Sequence, residues 1–148
     1  MIEKVQESHL YMWLKEKDSK FLSKLDETIE YANTILPQIN NVFASYTVHG
    51  VRHSINVMEY MYALVVDINK LSELEVALLI YSALLHDIGM IANVDEIKEI
   101  KADHAILGER KYSKVLEKYG DEMTALQECV RPVHGKRASI DRCTATYV

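Results

Sequence analysis

Proline, glycine and cysteine are scarce in this chain of 148 residues, with two prolines, five glycines and two cysteines. So few helix breakers exclude a loop-rich architecture and leave little room for long connections. Cys129 and Cys143 stand in no metal-type spacing. They read as free thiols of a reducing compartment and not as a disulfide framework. Long hydrophobic runs are missing as well. The longest, residues 76–85, is interrupted by Ser82 and is about half of what a membrane span needs. The start of the sequence is acidic and amphipathic, with no secretory apolar stretch. The expectation is a soluble cytoplasmic protein with no membrane contact. Positive charge is also in deficit: the formal net charge is −5. That excludes an extended nucleic-acid-binding face, but a small phosphate-bearing ligand held by a few local cations remains open.

What remains is ordinary for a globular protein, with 49% hydrophobic and 26% charged residues. One domain with a real core is the natural reading of residues 1–148. No repeat and no low-complexity segment occurs, and nearly the whole chain carries helical periodicity, so the fold class is all-α. Residues 3–16 form a loose apolar face, and residues 19–35 follow 3–4 spacing up to Pro37. Residues 39–47 read as a turn-rich connection. A helix is expected over 50–69. Ser72 then caps a helix over 73–87, with Glu75 at the capping-box position. That helix is apolar nearly all round, which places it at the centre of the bundle, and Gly89 ends it. Residues 91–102 read as loop plus a short helix. Asp103 can cap a helix that Gly120 stops, and Asp121 can cap another that Pro132 breaks or kinks. The tail, 138–148, has no clear period.

The chemistry concentrates in the histidines. Five of six (His49, His53, His86, His104 and His134) fall in one stretch, and only His9 lies outside it. His86 and Asp87 stand side by side at the end of the apolar helix. Both are costly to bury without partners, and both are good ligands for a divalent cation. His53 lies near the start of the preceding helix. Two packed antiparallel helices can bring such ligands to one ion. Three N and O ligands leave coordination open for water and substrate, the catalytic arrangement. This set suits Mn, Fe, Co, Ni or Zn over Ca.

His49 stands four residues before His53, so on a helix the two share a face. It reads as a ligand, as a general acid for a leaving oxygen, or as the end of a loop. His104 follows Asp103 at a helix start, and His134 follows Pro132-Val133. Each reads as a ligand or as a surface residue. Lys136 and Arg137, with Arg52 near the first ligand, could bind phosphate; the later pair could equally complement a helix end on a solvated face. The tyrosines carry no assigned role.

His53, then His86-Asp87, set in Tyr46-Thr47-Val48-His49-Gly50-Val51-Arg52-His53 and Leu84-Leu85-His86-Asp87-Ile88-Gly89-Met90, resembles the HD superfamily of metal-dependent phosphohydrolases. The resemblance covers residues 36–137 and is closest to the HD-CE type, which often accompanies a GHKL-type ATPase domain. It implies an HD-domain helical bundle, with N-terminal helices over 1–36, an HD core over 37–137 and an irregular tail over 138–148. His104 and His134 resemble the additional ligands of binuclear members such as the HD-GYP group, so one or two divalent ions are implied, Mg among the candidates. His49 occupies the general-acid place of the superfamily's cyclic-nucleotide phosphodiesterases. Two departures stand out. Val133 precedes His134 where binuclear members often pair histidines. The family's closing aspartate has Asp141 as its sole late counterpart, in an atypical segment, which fits a C-terminally truncated member.

The expected activity is hydrolysis of a nucleotide or other small phosphoester by metal-activated water, with Asp87 and His49 catalytic and a GHKL-type ATPase as the implied partner. The alternative is a regulatory or interaction module that keeps the HD fold without turnover. A third reading uses iron for oxygenase chemistry. The oligomeric state is open.

Overall fold

The computed structural model describes residues 4–44, 50–104 and 107–139. Among these there is no strand, and the fold is all-α. In chain order the α-helices are α1 (His9–Glu16), α2 (Leu22–Ile35), α3 (Asn40–Phe43), α4 (Val51–Leu64), α5 (Glu73–Leu85), α6 (Val94–Lys101), α7 (Tyr112–Tyr119), α8 (Glu122–Val130) and α9 (His134–Ser139). Short 3-10 turns join several of them, including Ile88–Met90 directly after α5. Among the described residues no single helix is long and apolar enough to cross a membrane. The described residues form two compact units, one within 1–37 and 48–85, the other within 38–47 and 86–148.

In the first unit α5 is the central element, and α1, α2 and α4 all pack on it. Leu10, Leu14, Leu25, Met58, Val76 and Ile80 are fully buried. Burial of side chains this size stabilises by roughly 1.5–3 kcal/mol each before entropy is counted. Ser72 caps α5 as its sequence requires: Glu75 N–H donates to Ser72 Oγ, and the Glu75 carboxylate accepts from Ser72 N–H at 2.8 Å. The largely apolar surface of α5 is not wholly enclosed, since Leu74 and Leu78 are half exposed, at 51% and 52%. Polar contacts also tie α1 down. Tyr11 donates to Asp26 at 2.8 Å, and His9 pairs with Glu59 and stacks on Tyr62.

The helix expected over 50–69 ends at Leu64. Two β-branched residues, Val65 and Val66, follow, and they lose rotamer freedom in a helix. Asp67 then accepts from Asn69 N–H and starts a separate 3-10 turn, a local bond that competes with the helical ladder.

In the second unit α7 and α8 form a hairpin. Gly120 takes the left-handed conformation at φ 70° to stop α7, and Asp121 accepts from Thr124 N–H to start α8, both as the sequence indicates. The connection expected over 39–47 contains α3 instead, whose Val42 and Phe43 are buried. Gln127, on α8, donates to the Val42 carbonyl at 2.8 Å. Asp103 does not stand next to the helix that Gly120 stops, which begins at Tyr112 after the N-cap Lys111, but reaches it through its side chain. Its carboxylate accepts from the N–H and hydroxyl of Ser113, in the first turn of α7. α6 starts with a full capping box, Asn93 with Glu96.

Candidate metal centre

His53 is the third residue of α4, and its N–H donates to the carbonyl of the N-cap, Gly50, at 2.8 Å. Ser54, Ile55 and Met58 form the buried face of that helix, so His53 is carried at its half-buried edge. His86 and Asp87 continue the chain directly from Leu85, the last residue of α5. α4 and α5 pack together. One ligand atom each of His53, His86 and Asp87 lies within 4.8 Å of the others. The start of one helix therefore meets the end of the next, and the two run antiparallel.

Asp87 is buried, at 8% exposed. His86 Nε2 stands 3.0 Å from Asp87 Oδ2. The pairing orients the carboxylate and offsets part of the desolvation that burial imposes on it. Two imidazoles and one carboxylate make a donor set suited to a first-row divalent cation. Ligands of one such ion sit about 2.0–2.2 Å from it and so at most about 4.4 Å from one another. The separations in the cluster, all within 4.8 Å, are of that order. The His-His-Asp cluster could hold a metal ion.

The other expected site residues are placed as follows. His49 and Asp141 lie outside the described residues. His104 is exposed and pairs through Nδ1 with Glu99 at 2.9 Å. The Nδ1 of His134 lies 2.6 Å from the Arg131 carbonyl. Neither joins the cluster formed by the described residues. Arg52 and Lys136 are exposed.

Arg137 corrects its expected role. It is 3% exposed, and its guanidinium donates to the carbonyls of Gly89 and Ile91 and to the carboxylates of Glu96 and Glu109. A guanidinium committed to four acceptors inside the protein is not a phosphate ligand. Its sequence neighbourhood, rich in cations, gave no sign of this. Glu109 gave none either, although its side chain is 1% exposed. Glu96 was legible only as the partner of Asn93 in a capping box.

An all-helical fold bearing a His and a His-Asp pair from successive helices defines a candidate HD-type domain. The HD-CE family model matches residues 43–145, and the chain belongs to the HD-CE family. The match leaves α1 and α2 outside it. Comparison with curated proteins and with solved structures yields no match.

Proposed function

We propose that this protein is a metal-dependent phosphohydrolase acting on a nucleotide or another small phosphoester. The observation that carries the reading is the cluster of His53, His86 and Asp87, with ligand atoms within 4.8 Å of one another. Bound there, a divalent cation lowers the pKa of water and neutralises charge on phosphoryl oxygens. His53 and His86 act as neutral imidazoles and Asp87 as an ionised carboxylate, the protonation states that bind a cation. His86 Nε2, at 3.0 Å from Asp87 Oδ2, fixes the direction of the carboxylate, which also serves as proton acceptor for the attacking water. In the same reading His49 delivers a proton to the leaving oxygen, and Arg52 and Lys136 attract the phosphate. The proposal counts one ion. A second, held by His104 and His134, would use their Nε2 atoms, since Nδ1 of His104 pairs with Glu99 and Nδ1 of His134 lies against the Arg131 carbonyl. A cytoplasmic location, from the cysteine usage, and a GHKL-type ATPase partner, from the family resemblance, belong to the proposal.

The test is metal analysis of the purified protein, followed by assay of a generic phosphodiester with Mn or Ni. Uptake of metal with turnover abolished by Asp87→Ala supports the hydrolase. A chain that takes up no divalent metal overturns it.

A second reading, a regulatory module of the same fold without turnover, is favoured by one observation. Arg137 serves the protein interior, so the cationic segment at 131–137 has one fewer group to offer a phosphate. Bound metal with no turnover across a broad panel of nucleotides selects this reading. Iron accompanied by oxygen uptake selects oxygenase chemistry over both.

A further inference from the structure

We infer that Arg137 is a positioning residue for the metal centre: it holds the turn through which the chain leaves Asp87. The inference rests on the metal reading of the site. Asp87 opens the 3-10 turn Ile88–Met90, and its carbonyl accepts from Met90 N–H at 2.9 Å. Two carbonyls of this short segment converge on one guanidinium. Arg137 Nε donates to Gly89 O at 2.9 Å, and an Arg137 Nη donates to Ile91 O at 3.0 Å. A planar fork that binds two carbonyls two residues apart fixes both the position and the direction of the turn.

The charge is held in place from the other side. Glu109, buried, accepts from the second Nη at 3.4 Å, and Glu96 accepts at 3.0 Å. Glu109 is in turn anchored by Leu107 N–H at 2.7 Å. Burying a guanidinium and a carboxylate is not needed to fill this volume; apolar side chains of the same size often do so at equal or lower free energy. What the ion pair adds is direction. It aims a rigid donor fork at the backbone beside a metal-ligand candidate. Outer partners of this kind, which orient ligands without touching the ion, commonly carry a tenfold to hundredfold share of metal affinity.

Arg137→Lys keeps the charge but not the fork. Arg137→Met combined with Glu109→Gln keeps the volume, removes the buried charge pair, and serves should the lysine variant not fold. Each full-length variant is measured against wild type in two ways. Without metal, amide exchange at Met90 reports the bond to the Asp87 carbonyl, with amides of α8 as the reference for global opening. With Co(II), calorimetric titration and the ligand-field spectrum report affinity and coordination geometry. The expected result is Met90 exchange about tenfold faster with α8 unchanged, Co(II) affinity about 10–100-fold weaker, and a shifted spectrum. A folded variant with wild-type Met90 exchange, affinity and spectrum overturns the inference and leaves the hydrolase reading standing. A wild-type chain that takes up no Co(II) overturns the hydrolase reading and this inference together.

Discussion

Gly89 lies directly against the backbone of His134: a Cβ built on Gly89 would stand 1.9 Å from the His134 carbonyl oxygen and 2.8 Å from Ala138 N. This approach lets α9 pack on the turn after Asp87 and brings Arg137 within reach of the Gly89 carbonyl. The glycine is needed here for the space it leaves and not for backbone freedom.

Gly89→Ala therefore forces two backbone segments apart. Overpacking costs about 1–3 kcal/mol in general. A backbone neighbour cannot rotate away as a side chain can, so the expected loss is about 3 kcal/mol. Gly135, on α9, has open space around its Cβ position. Gly135→Ala should instead stabilise by about 0.5 kcal/mol, because it restricts the unfolded chain. Urea unfolding of both variants gives the comparison. Equal stabilities would refute the close approach.

Asp87→Asn keeps the shape at the centre of the cluster and removes the charge. In metal-free protein, thermal unfolding should move little, since an amide still bonds His86. Metal affinity should fall by more than the roughly 10–100-fold carried by outer partners. Wild-type protein at a hundredfold excess of metal over Kd gains about 2.7 kcal/mol. A rise in Tm with Mn or Ni that is present in wild type and absent in Asp87→Asn is the expected pair of results. The same rise in both would remove Asp87 from the ligand set.

Much of the fold was legible in the sequence because its signals are local. Ser72 with Glu75, Gly120 and Asp121 all mark helix ends through bonds made within a few residues. The candidate His-His-Asp cluster was legible for a related reason: His53 and His86-Asp87 occupy the start and end of successive helices, and a short connection makes those helices antiparallel neighbours. What failed depends on distant partners. Asp103 looked like the start of the helix that Gly120 stops; that helix begins at Tyr112, and Asp103 reaches it only by bonding Ser113, ten positions on. Arg137 looked like a surface cation because its neighbours are cations, and only the packing of α9 reveals Glu109 beneath it. No periodicity in a sequence encodes which carboxylate a buried guanidinium will find.

Acid should weaken the second unit through its caps. Ser113 donates its N–H and hydroxyl to Asp103, and Thr124 donates its N–H to Asp121. These bonds hold both carboxyls below the usual aspartate range. A depressed folded pKa contributes stability that is present above the unfolded value, about 3.9, and is lost as pH falls through the folded value. Thermal stability should therefore be insensitive to these groups near neutrality and decline below about pH 4. Asp103→Asn removes one of the two groups, so its decline should be shallower than that of wild type. Parallel acid profiles would show that the Ser113 bonds contribute nothing to stability.

Alkali tests the opposite sign at Cys129. The thiol is fully buried and donates to the Arg110 carbonyl at 3.3 Å. Burial, with Asp103 and Glu109 adding to it, pushes the thiol up from 9.0 to about 11. A raised folded pKa means that the neutral form is the one the folded state prefers. Its contribution is complete below the unfolded value of 9.0 and is lost as pH rises through about 11. Two results follow. At about pH 8 the folded protein should resist alkylation at Cys129, since the thiolate is the reactive form and the sulfur is enclosed; denaturant should release it. Stability should also fall between about pH 9 and 11 by less in Cys129→Ala than in wild type. Peptide mapping after iodoacetamide treatment reads the first and thermal unfolding reads the second. Rapid labelling of Cys129 in the native protein would place that thiol in contact with solvent and remove the reason for its raised pKa.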